Sequence, residues 1–275
     1  MQPHFKIRQM EQELVSVIMP TFNAGKILSD SVKCILGQTY TNLELLITDD
    51  CSSDNTHSVL QRLAAEDPRV KVEFMTDNRG PGYARNKSIQ RAKGRYIAFC
   101  DCDDRWVPDK LERQIAFMNE KKCALSFSSY IICNEHFEEI GIVKAPEYVT
   151  FSQMKRDNKI GCLTAVYDVQ TLGKKYYMPV IRKRQDWGLL LSILRDCKIA
   201  WAIREPLAYY RMGKNTVSSK KLGLIRYNIL VYQKVLGYSK LKSHLYFFCL
   251  FMPTHLMKLV KRRIDGMLYM RRKNK

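Results

Sequence analysis

Three features are missing from this 275-residue sequence: a Cys-x-x-Cys pair, an apolar segment at its start, and an apolar run long enough to span a membrane. The nine cysteines are scattered between Cys34 and Cys249, so a structural zinc site is not expected. The first residues, which include Lys6, Arg8 and Glu11, are too charged for a secretory signal. Free thiols and no signal together predict a protein of the cytoplasm.

Acidic residues are scarce in the last quarter of the chain. From Arg211 onward there are sixteen Lys and Arg residues and one acid, Asp265, which gives +15 of the total net charge of +19. The first 210 residues carry only +4. This asymmetry predicts an anionic partner for the C-terminal region, either nucleic acid or anionic lipid.

Short buried strands alternate with amphipathic helices through the first hundred residues. Strands are predicted at 15–19, 43–48, 70–75 and 96–100, with helices at 26–37, from about residue 52, and at 84–92. This order predicts an α/β fold with a mostly parallel sheet flanked by helices. The second half is less regular, with strands predicted at 125–133 and 160–168 and a helix at 185–194.

Polar or acidic clusters follow each of the first four strands. They lie at residues 20–23, 49–50, 77–80 and 101–104. Ligands of parallel sheets bind beyond the carboxyl ends of the strands. Turn chemistry alone could explain one such cluster, since Asp, Asn and Gly favour turns. Four clusters in order instead predict one ligand site at this edge.

The Asp-x-Asp pair formed by Asp101 and Asp103 directly follows the fourth strand. Residues i and i+2 of a strand point the same way, so both carboxylates can face one ligand. Carboxylates repel phosphate but can hold Mg²⁺ or Mn²⁺, which in turn binds phosphate oxygens. The motif is common by chance, and its place at a strand end is what favours a role in binding a diphosphate.

Five segments, in order, resemble the glycosyltransferases of family 2, which have the GT-A fold. They read VSVIMPTFN (15–23), LLITDDCSSD (45–54), NRGPGYARN (78–86), GRYIAFCDCDD (94–104) and RQDW (184–187). The resemblance covers roughly residues 14–218. The run 160–164 and the later Tyr210, Arg211 and Ser218 look closest to bacterial enzymes that build teichuronic acid, capsule or lipopolysaccharide chains. We therefore predict a glycosyltransferase domain at 1–218 and a helical basic tail at 219–275.

The resemblance implies an inverting transfer from a nucleotide diphosphate-sugar, with UDP as the expected nucleotide, to a hydroxyl of a growing, lipid-linked cell-surface polysaccharide. Asp186 would be the general base, although an acid at a helix N-terminus is also favourable without any catalytic role. Asp103 would be the direct ligand of the divalent metal, Mg²⁺ or Mn²⁺. The nucleotide base would lie against Phe22 and near Asp50, and Asp101 would lie near the ribose.

The residues that the resemblance assigns to nucleotide-sugar binding are Pro20, Thr21, Phe22, Asn23, Asp50, Asn78, Gly80, Arg85, Asp101, Cys102 and Asp103. Two positions depart from the family's commonest pattern. Cys51 stands where glycine is frequent, so the turn after Asp50 is expected to differ slightly. Gln185 stands where glutamate is frequent, which leaves Asp186 as the local carboxylate.

The C-terminal region combines basic residues with an apolar run at 245–252. That run is far shorter than the ~20 residues of a membrane span. Within the run, five large apolar side chains are followed by Lys and Arg residues, and this combination predicts an anchor at an anionic membrane surface. They are Leu245, Phe247, Phe248, Leu250 and Phe251. We expect a peripheral protein of the inner membrane face. A helix packed on the core is the alternative, and nucleic acid is not expected because no nucleic-acid-binding motif is present.

Two other classes of function are compatible with parts of the pattern. A nucleotidyltransferase also uses acidic metal ligands in an α/β fold, but it should have a glycine-rich basic loop where Pro20 to Asn23 stand. A non-enzymatic, basic membrane- or nucleic-acid-binding protein with a degenerate nucleotide fold should have lost the acids. The intact Asp101, Asp103 and Asp186 argue against it.

Overall fold

The computed structural model describes residues 12–213 and 224–273. The N-terminal elements are β1 (Val15–Thr21), α1 (Leu28–Leu36), β2 (Leu43–Asp49), α2 (Thr56–Glu66), β3 (Val70–Phe74), α3 (Pro81–Arg91) and β4 (Tyr96–Phe99). The central elements are β5 (Arg105–Trp106), α4 (Lys110–Lys121), β6 (Leu125–Cys133), β7 (Glu139–Val143), β8 (Tyr148–Thr150), α5 (Phe151–Arg156), β9 (Val166–Asp168), α6 (Val169–Leu172), α7 (Gln185–Cys197) and β10 (Ile199–Arg211). The C-terminal elements are α8 (Leu224–Lys234), α9 (Lys240–Tyr246), a π-helical turn (Phe247–Phe251) and α10 (Met252–Lys273).

The strands form one sheet in the order β3-β2-β1-β4-β9-β6-β10-β5, with β7 beside β6 and β8 beside β10. The four N-terminal strands are parallel, as the strand-helix alternation predicts, and β6 runs parallel to β10. The antiparallel pairs involve β5, β7, β8 and β9 in the second half. The predicted α/β class and the first four strands are confirmed.

Alternate side chains of β1 pack in two hydrophobic cores, one on each face of the sheet. Val17 packs in one core and Ile18 in the other, because successive strand side chains point to opposite faces. All seven residues of β1 are buried, which is typical of a parallel strand covered by helices on both sides. The carboxyl ends of β1, β2 and β4 are thereby held at one edge of the sheet.

The second half differs from the sequence-based prediction. The strand predicted at 160–168 is a short 3-10 turn at Cys162–Thr164 followed by the three-residue β9. Helix α4 and strand β10 were not predicted at all. In β10 the register shifts on both sides of Pro206, which breaks the alternation that would have marked the strand.

The start of the C-terminal region is part of the core. Tyr232 and Phe251 pack against the buried Trp187, with ring centroids 5.5 and 5.3 Å from its ring. Phe247 is 0% and Phe251 is 2% exposed, so the prediction that these two face a membrane is wrong. Leu245 and Phe248 of the same run are exposed. The predicted domain boundary at residue 218, and Ser218 itself, lie outside the described residues.

Helices in the described parts of the chain are all too short or too charged to cross a bilayer. The longest, α10, has 22 residues, but it carries Lys258, Lys261, Arg262 and Arg263 near its middle.

Candidate functional site

The turns after β1 and β2 are locked to each other. Thr21 Oγ1 donates a hydrogen bond to Asp49 Oδ1 at 3.1 Å. The Asn23 backbone N–H donates to Ser52 Oγ at 2.8 Å, and the Ser53 N–H donates to Asn23 Oδ1 at 2.8 Å. Each turn thus satisfies polar groups of the other. Asn23, which was predicted to bind a nucleotide, also has this structural role.

The apolar surface at this edge is the ring of Phe22, which is 50% exposed. It follows the buried Pro20 and Thr21 at the end of β1. The next turn contains Cys51 in the left-handed backbone region, with φ of 64°. That conformation favours glycine, which explains why the family commonly has glycine there. Cys51 adopts it, so the departure costs backbone strain and does not remove the turn.

Asp50 organises the turn after β3. Its two carboxylate oxygens accept hydrogen bonds from the backbone N–H groups of Arg79 and Gly80, at 2.8 and 2.7 Å. The Asn78 side chain donates to the Asp50 carbonyl at 3.1 Å. Gly80 has φ of 89°, a value at which a side chain would be strained. Burial raises the pKa of Asp50, and the two N–H donors oppose that rise. Three predicted residues, Asp50, Asn78 and Gly80, therefore form one unit.

The turn at 101–104 places two carboxylates next to each other. Burial, followed by the neighbouring charge of Asp101, raises the pKa of Asp103 to about 6. Asp103 also lines a cleft that contains the cationic side chains of Lys26, Arg105 and Arg211. Asp30 and Glu135 line the same cleft, and Arg105 is ion-paired with Asp30, so the cleft combines cationic and acidic groups.

The carboxylates of this turn are suitable ligands for a divalent cation that is also bound by the phosphates of a substrate. Within residues 12–213 and 224–273 no three His, Cys, Asp or Glu side chains converge on a metal position. Mg²⁺ is usually held by one or two carboxylates together with substrate phosphates and water, so a single direct ligand such as Asp103 is sufficient. The electrostatic repulsion between Asp101 and Asp103 is what a cation would remove.

Arg85 is the ionic partner of Asp101. Its guanidinium is buried and lies 2.5 Å from Asp101 Oδ1. Burial lowers the pKa of Arg85, but the Asp101 carboxylate together with the nearby Cys162 and Asp186 outweighs burial, and the net pKa is raised. Cys102 between the two acids has its thiol pKa raised well above the usual value by burial, so it stays protonated. Its carbonyl accepts a hydrogen bond from Ser31 of α1 at 2.9 Å.

Asp186 lies in the first turn of α7. Its Oδ2 accepts a hydrogen bond from the Asn158 side chain at 3.1 Å. The charge of Asp186 raises the pKa of the buried Arg85, as that of Asp101 does. Asp186 and the Asp-x-Asp turn thus both influence the pKa of this guanidinium, although 83 residues separate Asp186 from Asp103 in sequence.

The helix that carries Asp186 packs closely on the start of α3. A Cβ atom at Gly82 would lie 2.7 Å from Cγ of Gln185. Gln185 is buried and its amide donates to the Arg182 carbonyl at 2.8 Å. Gln185, which replaces the frequent glutamate, thus joins the two halves of the site by packing and carries no charge into it.

Three further residues shape the site without having been predicted. Asp104 is buried and accepts a hydrogen bond from the Arg211 backbone N–H at 3.1 Å, which fixes the end of β10. Asn86 pairs with both backbone groups of Met178, at 2.9 and 2.7 Å. Asn158 binds Asp186. Asp104 and Asn86 lie inside the recognised motifs, whereas Asn158 lies in an irregular segment with no sequence signal.

Residues 16–174 match the model of the family described as "Glycosyl transferase family 2". The chain is 40% identical over 223 residues to the Bacillus subtilis (strain 168) glycosyltransferase TuaG, whose name places it in teichuronic acid biosynthesis. That match covers 81% of this chain and 88% of TuaG. The chain is also 39% identical over 214 residues to the Escherichia coli UDP-Glc:α-D-GlcNAc-diphosphoundecaprenol β-1,3-glucosyltransferase WfgD. This match covers 77% of this chain and 82% of WfgD.

The fold is shared with S. aureus TarS residues 1–349, solved in complex with UDP-GlcNAc. The TM-score is 0.64 at 18% identity, over 84% of this chain and 70% of that one. At this identity the likeness concerns the fold, and it confirms the predicted GT-A architecture.

Proposed function

Because the chain belongs to glycosyl transferase family 2, we propose that it is an inverting, metal-dependent enzyme that transfers a sugar from a UDP-sugar to a hydroxyl of a lipid-linked saccharide. Family membership makes it a glycosyltransferase, which removes the nucleotidyltransferase and the non-enzymatic interpretations.

The nucleotide would bind across the turns after β1, β2 and β3. The exposed ring of Phe22 offers a face for the base, and Asp50 with its Asn78–Gly80 loop forms a rigid wall beside it. Asp101, fixed by the buried Arg85, would lie near the ribose. A rigid site of this kind loses little conformational entropy when the donor binds.

Asp103 would hold the Mg²⁺ or Mn²⁺ ion. When bound, such a cation offsets the negative charge that develops on the leaving diphosphate. Arg105 and Arg211 line the same cleft as Asp103 and would contact the diphosphate oxygens after exchanging their present partners, the Asp30 carboxylate and the Glu135 carbonyl.

Asp186 would accept the proton of the acceptor hydroxyl. As that oxygen forms its bond to the anomeric carbon, the bond from this carbon to the diphosphate oxygen breaks on the opposite face. The nucleoside diphosphate leaves with the bonding electrons, the proton stays on Asp186, and a single displacement inverts the anomeric centre. A positioned base of this kind contributes roughly 10²–10⁴-fold in rate.

The packing of two helices carries the proposal: Arg85 of α3 is ion-paired with Asp101, and the first turn of α7, which holds Asp186, packs through Gln185 on Gly82 of α3. A donor-side acid and a candidate base are thus close together although they lie on separate segments. The names of the relatives support the acceptor, since WfgD is named for a diphosphoundecaprenol acceptor. We extend this to the present chain and place it at the inner face of the cell membrane.

The test is a panel of nucleotide-sugars with and without Mn²⁺. We expect a UDP-sugar to raise the melting temperature of the full chain only with the metal, and to be hydrolysed slowly to UDP. EDTA should reverse both effects. Stabilisation by GDP- or CMP-sugars alone would contradict the UDP assignment, and an α-linked product from an α-linked donor would contradict inversion.

A further inference from the structure

Helix α10 turns polar side chains toward the protein. Tyr269 Oη donates to Glu139 Oε2 of β7 at 2.7 Å, and Lys144 Nζ donates to Asp265 Oδ1 at 3.1 Å. Lys258 Nζ lies 2.7 Å from Asp157 Oδ2, in a pair whose carboxylate is buried. Asp157 also contacts the ring of His255. The start of this helix packs on the core through Met252 and His255, and the rest of its inner face is held by hydrogen bonds and ion pairs.

The outer face of α10 is apolar. Ten of the sixteen exposed large hydrophobic side chains of the described residues lie between Leu241 and Leu268. On α10 itself they are Leu256, Met257, Leu259, Val260, Ile264, Met267 and Leu268, all more than 40% exposed. An ordinary surface helix shows the opposite arrangement, with its apolar stripe toward the core. We call these seven side chains the outer face.

Exposed cations lie along both borders of the outer face. At about 100° per residue, all of its members except Leu259 fall in an arc of about 120°. Arg263 lies at one border, Lys261 and Arg272 lie at the other, and all three are exposed. Arg271, beyond Leu268 at the C-terminal end of the helix, is an exposed cation within the arc. An apolar stripe bordered by arginine and lysine is typical of a helix that lies in the plane of an anionic bilayer.

We infer that the outer face of α10 is a docking surface for an anionic lipid bilayer, on which the helix lies flat. This deepens the proposed function, because it says how the enzyme meets a lipid-linked acceptor. The apolar side chains would enter the boundary between headgroups and acyl chains while the bordering cations contact lipid phosphates. The helix is too charged to span the bilayer, so it lies along the surface.

The docking surface is connected to the candidate base. Lys258 Nζ donates to the Asn158 carbonyl at 2.5 Å, and the Asn158 side chain donates to Asp186. Two hydrogen bonds thus separate the inner face of α10 from Asp186. Docking on the outer face would hold the base side of the site next to the bilayer, where the hydroxyl of a lipid-linked sugar is available.

The test is flotation of the full chain with vesicles of phosphatidylcholine, with and without phosphatidylglycerol. Replacing Leu256, Val260 and Ile264 by Gln should reduce flotation at least about tenfold at both low and high salt. Replacing Lys261 and Arg263 by Gln should reduce flotation only with phosphatidylglycerol and only at low salt, since salt screens exposed charges. Val180→Gln, at a site 98% exposed, and Lys33→Gln are the matched controls and should float normally.

Equal flotation of the triple Gln variant and the unaltered chain would overturn the inference. So would a lipid-free dimer, measured by light scattering, that the triple variant converts to a monomer, because the outer face would then be covered by a second copy. The metal-dependent thermal shift with a UDP-sugar needs no lipid and should be normal in every variant. Its loss in the unaltered chain would instead contradict the proposed donor site.

Discussion

Polar and apolar side chains are arranged in opposite ways in helix α10 and in the N-terminal half of the sheet. In residues 15–99, apolar side chains such as Ile18 and Leu46 are inside and polar ones gather at the carboxyl ends of strands. In α10 the polar side chains face the protein and the apolar ones face outward. The first arrangement builds a site for a polar ligand, and the second is suited to an apolar environment outside the protein. The two regions therefore have separable tasks, and a substitution in one region should leave the task of the other unchanged.

The largest effect is expected at the metal ligand. Asp103→Ala should abolish transfer and the metal-dependent binding of a nucleoside diphosphate, because no other predicted group bridges the protein and the diphosphate through a cation. Isothermal titration of UDP with and without Mn²⁺ measures it. Asp109→Ala, a neighbouring half-exposed acid, is the control. Flotation should not change, and a parallel loss of vesicle binding would show that the two tasks are not separable.

The second effect is expected at the base. Asp186→Asn exchanges a proton acceptor for an amide of almost the same shape, so turnover should fall at least about 10²-fold while the donor still binds. Single-turnover kinetics and donor titration separate the two quantities. Asp196→Asn at the other end of α7 is the matched control, since Asp196 pairs with Lys174 on the surface. An equal fall in donor affinity would make Asp186 a donor ligand or a structural acid.

A substitution at Asn158, which links α10 to Asp186, should have an intermediate effect on turnover. Asn158→Ala removes the hydrogen bond to Asp186 and should lower kcat about tenfold, or ~1.4 kcal/mol, with little change in the KM for the donor. Lys159→Ala, one residue further on, should have a smaller effect because no hydrogen bond to Asp186 is lost. Unchanged kcat in the Asn158 variant would show that α10 and the base are not coupled through this residue.

Sequence reasoning succeeded where local pattern and burial agree. β1, β2 and β4 are short apolar runs that end at polar clusters, and parallel topology then places those clusters at one edge. The same reasoning failed for the apolar run at 245–252, because periodicity shows that a helix has two faces but not which of them is inside. Phe247 and Phe251 went to the core around Trp187, whereas Phe248 did not. Asn158 could not be found either, since only the fold brings its irregular segment to α7.

Lys110 of α4, which follows residues 15–99 in the chain, is a fully buried lysine. Its ammonium donates to Gln114 Oε1 at 2.8 Å and lies 4.1 Å from the ring centroid of Trp106. These partners are neutral, whereas Lys258 of α10 has the carboxylate of Asp157. Burial lowers the pKa of Lys110 to about 7, and the nearby thiol of Cys100 opposes that fall only in part. The ammonium form is therefore disfavoured in the folded state.

The smallest predicted effect follows from this lysine. Above about pH 7 the folded protein has released the proton of Lys110, while the unfolded chain keeps it up to about pH 10.4. The unfolded state then binds one more proton, so this group makes the free energy of unfolding rise with pH, by up to ~1.4 kcal/mol per pH unit above its folded pKa. Urea denaturation of the unaltered chain and of Lys110→Met at pH 6 and pH 8 should show a stability difference that shifts by about 1 kcal/mol in favour of the lysine at the higher pH.

The buried thiols have the opposite trend at higher pH, but they are present in both proteins and cancel in the difference. Parallel pH profiles for the two proteins would mean that Lys110 keeps its proton in the folded state. Lys110 would then be a buried cation whose hydrogen-bond and ring partners, Gln114 and Trp106, are neutral, unlike the buried Arg85, which pairs with Asp101.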